Sequence, residues 1–299
     1  MMNHDHGHAP ANYDKAFAIG IALNLSYVVV EAVFGGLAHS LALVADAGHN
    51  LSDVLSLLLA WGASRLSQMQ PTRRYTYGLR SSSILASLIN AIILLIAIGA
   101  IAWEAIRRFN QPQEIPGGTV MAVAAFGVVI NAATALLFVK GRESDLNIKG
   151  AFLHMAADAG VSLGVVVAGF AISRTGLYWI DPVTSLVIVA IIAVGTWGLL
   201  RDSACLALQA VPPRIDANKV KAYLAALPEV VGVHDLHIWP MSTTETALTA
   251  HLEMPNGSGG DEFLHDVCKH LHDQFKIEHS TIQIEQNAKA CSLAPEQKV

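Results

Sequence analysis

Apolar residues dominate the chain from about residue 16 to about residue 205, and then the pattern changes. A bilayer-spanning helix needs about 20 mainly apolar residues. Six stretches meet that need: 16–37, 41–64, 82–106, 118–139, 151–173 and 178–200. The fourth includes MAVAAFGVVINAATALLFV, without a single charge. Small residues recur in all six, as where membrane helices pack closely. From the turn at Pro212-Pro213 onward the pattern is that of a soluble domain. It predicts a helix at 216–227, strands at 231–239 and 244–254, a helix at 261–275 and a strand at 280–286. In the second strand Ala247, Thr249, His251 and Glu253 alternate with Leu248, Ala250, Leu252 and Met254, the period of a two-faced strand. The order α-β-β-α-β predicts a small ferredoxin-like α+β sandwich. Nothing periodic follows 287. The expected organisation is a tail at 1–15, a six-helix transmembrane domain at 16–205, a soluble domain at 212–287 and a disordered tail at 288–299.

Composition sharpens this. The 299 residues are 53% hydrophobic and 14% charged, against about 25% charged in ordinary soluble domains. The net charge of −5 argues against nucleic acid as a partner. Cys205, Cys268 and Cys291 show no C-x-x-C spacing, which fits a reducing compartment for the soluble part. The opening MMNHDHGHAPANYDK lacks the basic and apolar regions of a cleavable signal, so none is expected. Six spans put both termini on one side. Nine basic residues fall there (Lys15, Arg65, Arg73, Arg74, Arg80, Lys140, Arg142, Lys149 and Arg201), against Arg107, Arg108 and Arg174 opposite. Lys and Arg concentrate on the cytoplasmic side, so both termini are expected in the cytoplasm.

Two apolar stretches are interrupted in the same way. His49 and Asp53 lie in SLALVADAGHNLSDVLSLLLAWGA, and His154 and Asp158 in GAFLHMAADAGVSLGVVVAGFAI. Residues four apart share one helix face. Ionisable groups at membrane depth are costly unless they pair or bind an ion. Two facing helices would offer two imidazoles and two carboxylates, a set that suits tetrahedral zinc. Two carboxylates also neutralise a dication. A lone histidine there would more often be a satisfied structural group, but two copies of one spacing weigh against that. Asp46 shares the His49 face, so spacing alone leaves it open as a ligand. Asn50 is placed to donate a supporting hydrogen bond. The tetrapeptide ADAG, at 45–48 and 157–160, is out of register with the two pairs and is read as small-residue packing.

The segments SLALVADAGHNLSDV, LNIKGAFLHMAADAG and HDLHIW together resemble the cation diffusion facilitator family, and most the zinc/cadmium/cobalt efflux branch of bacteria. The resemblance covers about residues 15–286. It implies a homodimeric exporter in the bacterial inner membrane, with six spans and a cytoplasmic metal-binding domain, exchanging a divalent cation for protons. It also implies that His49, Asp53, His154 and Asp158 form the transport site, with Asp46 beside it. In the family, ligands of the soluble domain lie at the positions of His234, His251, His265 and Glu285. A further position that is His in some members is Gln283 here, with His279 as a candidate substitute. Some members carry an Asp/His metal site between spans two and three. The loop here, SQMQPTRRYTYG, has neither residue, and no site is expected there.

His237 is expected on the strand face opposite His234, from alternation alone. His270 and His272 read as surface residues. His4, His6 and His8 suggest weak metal capture by a His-rich tract. Glu104 is expected to pair with Arg107 and Arg108 at the membrane edge, and Glu31 is either a structural partner or a proton-path residue. No phosphate-binding G-x-x-x-x-G-K-[ST] motif and no H-E-x-x-H occurs. The expected function is zinc export by proton antiport, with cadmium next. Zinc is the cargo and a candidate regulator, and no other cofactor is required. Export of cobalt, nickel or iron, a membrane-embedded metal sensor and a metalloenzyme are the alternatives.

Overall fold

The computed structural model describes residues 14–67, 69–111, 113–139, 146–256, 260–286 and 291. His4, His6 and His8, and the expected tail at 288–299 apart from Cys291, lie outside the described residues. Six long helices come first: α1 (Asp14–Leu37), α2 (Leu41–Ser67), α3 (Ser82–Asn110), α4 (Gly117–Phe138), α5 (Leu146–Thr175) and α6 (Ile180–Ala207). Then follow α7 (Ala217–Ala225), β1 (Gly232–Pro240), β2 (Thr246–Glu253), α8 (Gly260–Phe275) and β3 (His279–Glu285). The protein is a helical membrane protein with a small α+β domain in the expected α-β-β-α-β order. α5 begins ahead of the expected 151, and α6 runs past the expected 200. Both extensions are amphipathic or polar turns beyond the apolar window, where hydropathy carries no signal.

Among the described residues, five of the long helices are apolar enough to cross a membrane by length and composition, and α2 is the sixth long helix. Its apolar run is broken by Asp46, His49, Asn50 and Asp53. The chain forms two compact units, Met1–Leu57 with Ile93–Thr196, and Leu58–Ile92 with Trp197–Val299. In the first, Leu43, Ile98, Val120, Val165, Ile188 and Ile192 form a buried core drawn from five helices. Ile96, Trp103, Leu136 and Val194 point outward instead. Large apolar side chains on the outer surface of a bundle are what a lipid environment requires.

Close packing fixes α4. A methyl group on Gly117 or Gly169 would strike the backbone of the facing helix, so α4 and α5 touch main chain to main chain there. A methyl on Gly127 would overlap the Tyr27 ring, which seats α1 against α4. The start of α2 is held from a distance. Asp181, fully buried at the start of α6, accepts hydrogen bonds from Ser40 Oγ at 2.5 Å and from the Leu41 and Ala42 N–H groups at 2.8 and 3.2 Å. Ser40 Oγ also accepts from the Leu43 N–H at 3.3 Å. Three of the N–H groups that α2 would leave unsatisfied are thereby paired. Glu104 meets Arg107 and Arg108 at 3.3 Å each, as expected.

In the second unit the sheet order is β1-β2-β3, with β2 antiparallel to β1 and parallel to β3. Leu248, Ala250 and Leu252 pack with Val220 and Leu224 of α7 and Val267 and Leu271 of α8. Thr249, His251 and Glu253 occupy the other face of β2, in the alternation the sequence predicts. Asp216 caps α7 by accepting from the Asn218 and Lys219 N–H groups at 3.0 and 3.3 Å. The β1–β2 turn is tied to the loop before α3: Arg80 pairs with Glu245 at 2.5 Å, and Ser81 Oγ donates to the Met241 carbonyl at 3.1 Å.

Candidate metal centres

α2 and α5 bring the four membrane-depth residues together, and they pair crosswise. His49 Nε2 lies 3.2 Å from Asp158 Oδ1. His154 Nε2 lies 3.3 Å from Asp53 Oδ2. Within each helix the distances are longer, 4.0 Å for His49–Asp53 and 3.7 Å for His154–Asp158. Zinc–nitrogen and zinc–oxygen bonds of about 2.0–2.1 Å at a tetrahedral angle place neighbouring ligand atoms about 3.3 Å apart. The two cross-helix distances match that edge. Ligand atoms of His49, Asp53 and Asp158 all fall within 4.8 Å of one another. His154 stands at the rim, 44% exposed, while Asp158 is 2% exposed.

Asp53 Oδ2 and both oxygens of Asp158 are buried, and they face the imidazole nitrogens of His49 and His154. Buried carboxylates are costly without full compensation, so two of them facing imidazoles in one place suit a positive ligand. Asp46, which spacing left open, lies elsewhere. It is fully buried, accepts from Ser162 Oγ at 2.9 Å and is not part of the converging group. Glu31 of α1 is fully buried as well, accepting from Tyr27 at 2.7 Å and from Asn50 Nδ2 at 3.3 Å. Asn50 therefore serves Glu31, not a member of the quartet.

A second convergence lies in the soluble domain, on the sheet face away from the helices. His234 and His251 are directly opposed across β1 and β2, with ring centroids 5.2 Å apart. His234 Nε2 lies 3.1 Å from Glu285 Oε2, and His251 Nδ1 lies 3.0 Å from Glu285 Oε1. His234 Nε2 and Glu285 Oε2 are buried without hydrogen-bond partners. Cys291 joins the group, its sulfur 3.6 Å from His251 Nδ1. Burial pushes the Glu285 carboxyl up, but hydrogen bonds with Cys291 and Gln283 and the charges of His234 and His251 outweigh it. The net effect is below the usual carboxylate range, so Glu285 is ionised throughout the neutral region.

Several soluble-domain expectations change. His265 is exposed on α8 and is not among the converging residues. Alternation fails for His237, because β1 has a register shift between His234 and His237. Asp235, at φ +48°, takes up the extra residue of a bulge. His237 thus pairs with Thr249 while His234 pairs with His251, which puts both histidines on one face. Asp235 was not singled out by the sequence, yet its carboxylate bridges His237 Nε2 at 2.9 Å and His251 Nε2 at 3.4 Å. His279 pairs with Ala247 while Gln283 pairs with His251. Four residues of strand are about 13 Å, so His279 cannot stand in for Gln283. Gln283 itself donates to Glu285 Oε1 at 2.7 Å. His270 stacks on Tyr223, with ring centroids 4.1 Å apart, in keeping with a surface role.

The geometry has counterparts in known families. Residues 17–205 match the cation efflux transmembrane domain, and residues 212–287 match the cytoplasmic domain of cation efflux proteins. The chain is 34% identical to the zinc transporter ZitB of Escherichia coli over 291 residues, covering 95% of this chain and 93% of that protein. It is 32% identical to the metal cation efflux system protein CzcD of Cupriavidus metallidurans over 283 residues, 94% of this chain and 89% of the relative. It is 31% identical to a cadmium, cobalt and zinc/H(+)-K(+) antiporter of Bacillus velezensis over 289 residues, 95% and 92% of the two chains. Members of this group are transporters, not enzymes. The chain belongs to the cation efflux family, the cation diffusion facilitators.

Proposed function

We propose that this chain exports zinc from the cytoplasm in exchange for protons, with His49, Asp53, His154 and Asp158 holding the ion in transit. The observation that carries this is the crosswise His–Asp pairing around buried carboxylate oxygens, at the spacing of tetrahedral zinc ligands. Two carboxylates neutralise a dication, and two imidazoles supply the borderline-soft donors that suit zinc. Relatives named as a zinc transporter and as a cadmium, cobalt and zinc antiporter support the cargo and the exchange. Cadmium is the nearest competitor, with cobalt, nickel and iron as weaker ones.

Coupling follows from the ligands themselves. Zinc binds only deprotonated groups, so binding releases protons and acid releases zinc. Imidazole titrates near neutral pH, which makes His49 and His154 the exchanging groups. Facing the cytoplasm, the site loses protons and takes zinc. Facing outward, it takes protons and loses zinc. The nine-to-three bias of Lys and Arg supports cytoplasmic termini, in the inner membrane of a bacterium. A homodimer joined through its soluble domains fits the family. His234, His251 and Glu285 bind zinc in that domain and tune the affinity of transport. For His265, its place on exposed α8 favours a role outside this three-residue group.

The test is zinc flux in proteoliposomes for the wild type and for Asp53→Ala and Asp158→Ala. The proposal expects both variants to insert and to lose transport. Near-normal flux in either one would remove it from the ligand set.

A further inference from the structure

We infer that Cys291 is the fourth ligand of the zinc site in the soluble domain, completing a closed tetrahedron of two histidines, a glutamate and a cysteine. This rests on the reading that His234, His251 and Glu285 bind metal there. The residues come from three strands and from the segment beyond β3, where Cys291 is the described residue. One ligand atom from each of the four lies within 4.8 Å of the rest.

Three features favour coordination over a bare thiol–imidazole hydrogen bond. First, the spacing fits. Zinc–sulfur at about 2.3 Å and zinc–nitrogen at about 2.0–2.1 Å, at a tetrahedral angle, set sulfur and nitrogen about 3.5–3.6 Å apart. Cys291 Sγ and His251 Nδ1 are 3.6 Å apart. Second, His251 lies between two carboxylates, with Nδ1 3.0 Å from Glu285 Oε1 and Nε2 3.4 Å from Asp235 Oδ2, so a metal bound at Nδ1 leaves the ring proton on Nε2, where Asp235 can accept it. A carboxylate behind a ligating imidazole is the usual outer support of a zinc ligand. The bulge at Asp235 puts that carboxylate in place. Third, His234 is 8% exposed, and its Nε2 has no hydrogen-bond partner and is directed at Glu285. That nitrogen has a free position, which a metal would fill.

The balance closes. Zinc displaces the thiol proton to solvent, leaving a thiolate, a carboxylate, two neutral imidazoles and a dication with no net charge. Four protein ligands leave no open position, which fits a structural or regulatory ion and not a catalytic one. Ligation also ties Cys291 to the sheet.

The test uses the full-length protein, stripped of metal and loaded with cobalt(II). The transmembrane quartet has only nitrogen and oxygen donors, so a thiolate-to-cobalt charge-transfer band reports the soluble site. The band should survive Cys205→Ser with Cys268→Ser and vanish in Cys291→Ser. Zinc should also slow alkylation of Cys291 in the Cys205→Ser, Cys268→Ser background by about tenfold or more, since bound thiolate is a poorer nucleophile. His251→Ala should remove that protection. A band that persists in Cys291→Ser overturns the inference. So does cobalt binding that depends on His234 and His251 yet shows no thiolate band. If His234→Ala with His251→Ala leaves the cobalt stoichiometry unchanged, metal binding by the soluble domain itself fails, and the Cys291 ligand with it.

Discussion

His49 and Asp53 were legible because a helix repeats its face every three to four residues, and an apolar stretch makes two polar interruptions stand out. The crosswise pairing was not legible. Spacing shows which residues share a face, and only the packing of α2 on α5 decides that His49 meets Asp158 at 3.2 Å. The same limit applies to Asp46, which shares the His49 face in sequence and accepts from Ser162 in the fold. His49→Asp tests the donor type. A third carboxylate favours harder cations, so manganese flux should rise relative to zinc. The variant also adds a negative charge to the occupied site, which favours a bound proton. Its transport should therefore fall more steeply than wild type as cytoplasmic pH drops. Competition among zinc, cadmium and manganese across pH reads both effects, and an unchanged selectivity order would place His49 outside the ligand set.

At the scale of elements, hydropathy located all six long helices and alternation located the three strands. Their ends were less legible, because amphipathic turns of α5 and α6 carry no apolar signal. The cap on α2 was invisible for another reason: Asp181 is 140 residues from Leu41, and no local pattern joins them. Asp181→Ala should leave helical N–H groups and Ser40 unpaired, costing about 1–2 kcal/mol. The check is a lowered thermal midpoint in detergent, with zinc affinity reduced as the start of α2 loosens. A midpoint equal to wild type would mean that water replaces the carboxylate. The bulge in β1 was equally hidden, since one extra residue inverts every later side chain and alternation assumes there is none. Asp235→Ala should weaken zinc binding in the soluble domain by about 10–100-fold, as loss of a carboxylate behind a ligating histidine does. Isothermal titration of a variant already lacking the transmembrane site measures this directly, and unaltered affinity would separate Asp235 from the site.

For the whole molecule, the two candidate metal centres are expected to stand in different relations to conduction. The membrane quartet lies among the spans, whereas the His234–His251–Glu285 group lies in a domain with its own core. Loss of the second should therefore change affinity and leave conduction. His234→Ala with His251→Ala is expected to raise the zinc concentration for half-maximal flux while some flux remains. Complete loss, with the membrane domain intact, would make the soluble site obligatory.

On this proposal, one His–Asp quartet exchanges zinc for protons. The most direct measurement is zinc uptake into proteoliposomes with an acidic interior, followed together with internal pH. Wild type should take up zinc while the interior becomes less acid, with both movements collapsing when the pH gradient is dissipated and both absent in Asp158→Ala. Zinc uptake that ignores the gradient, or that survives Asp158→Ala at the wild-type rate, would contradict the account.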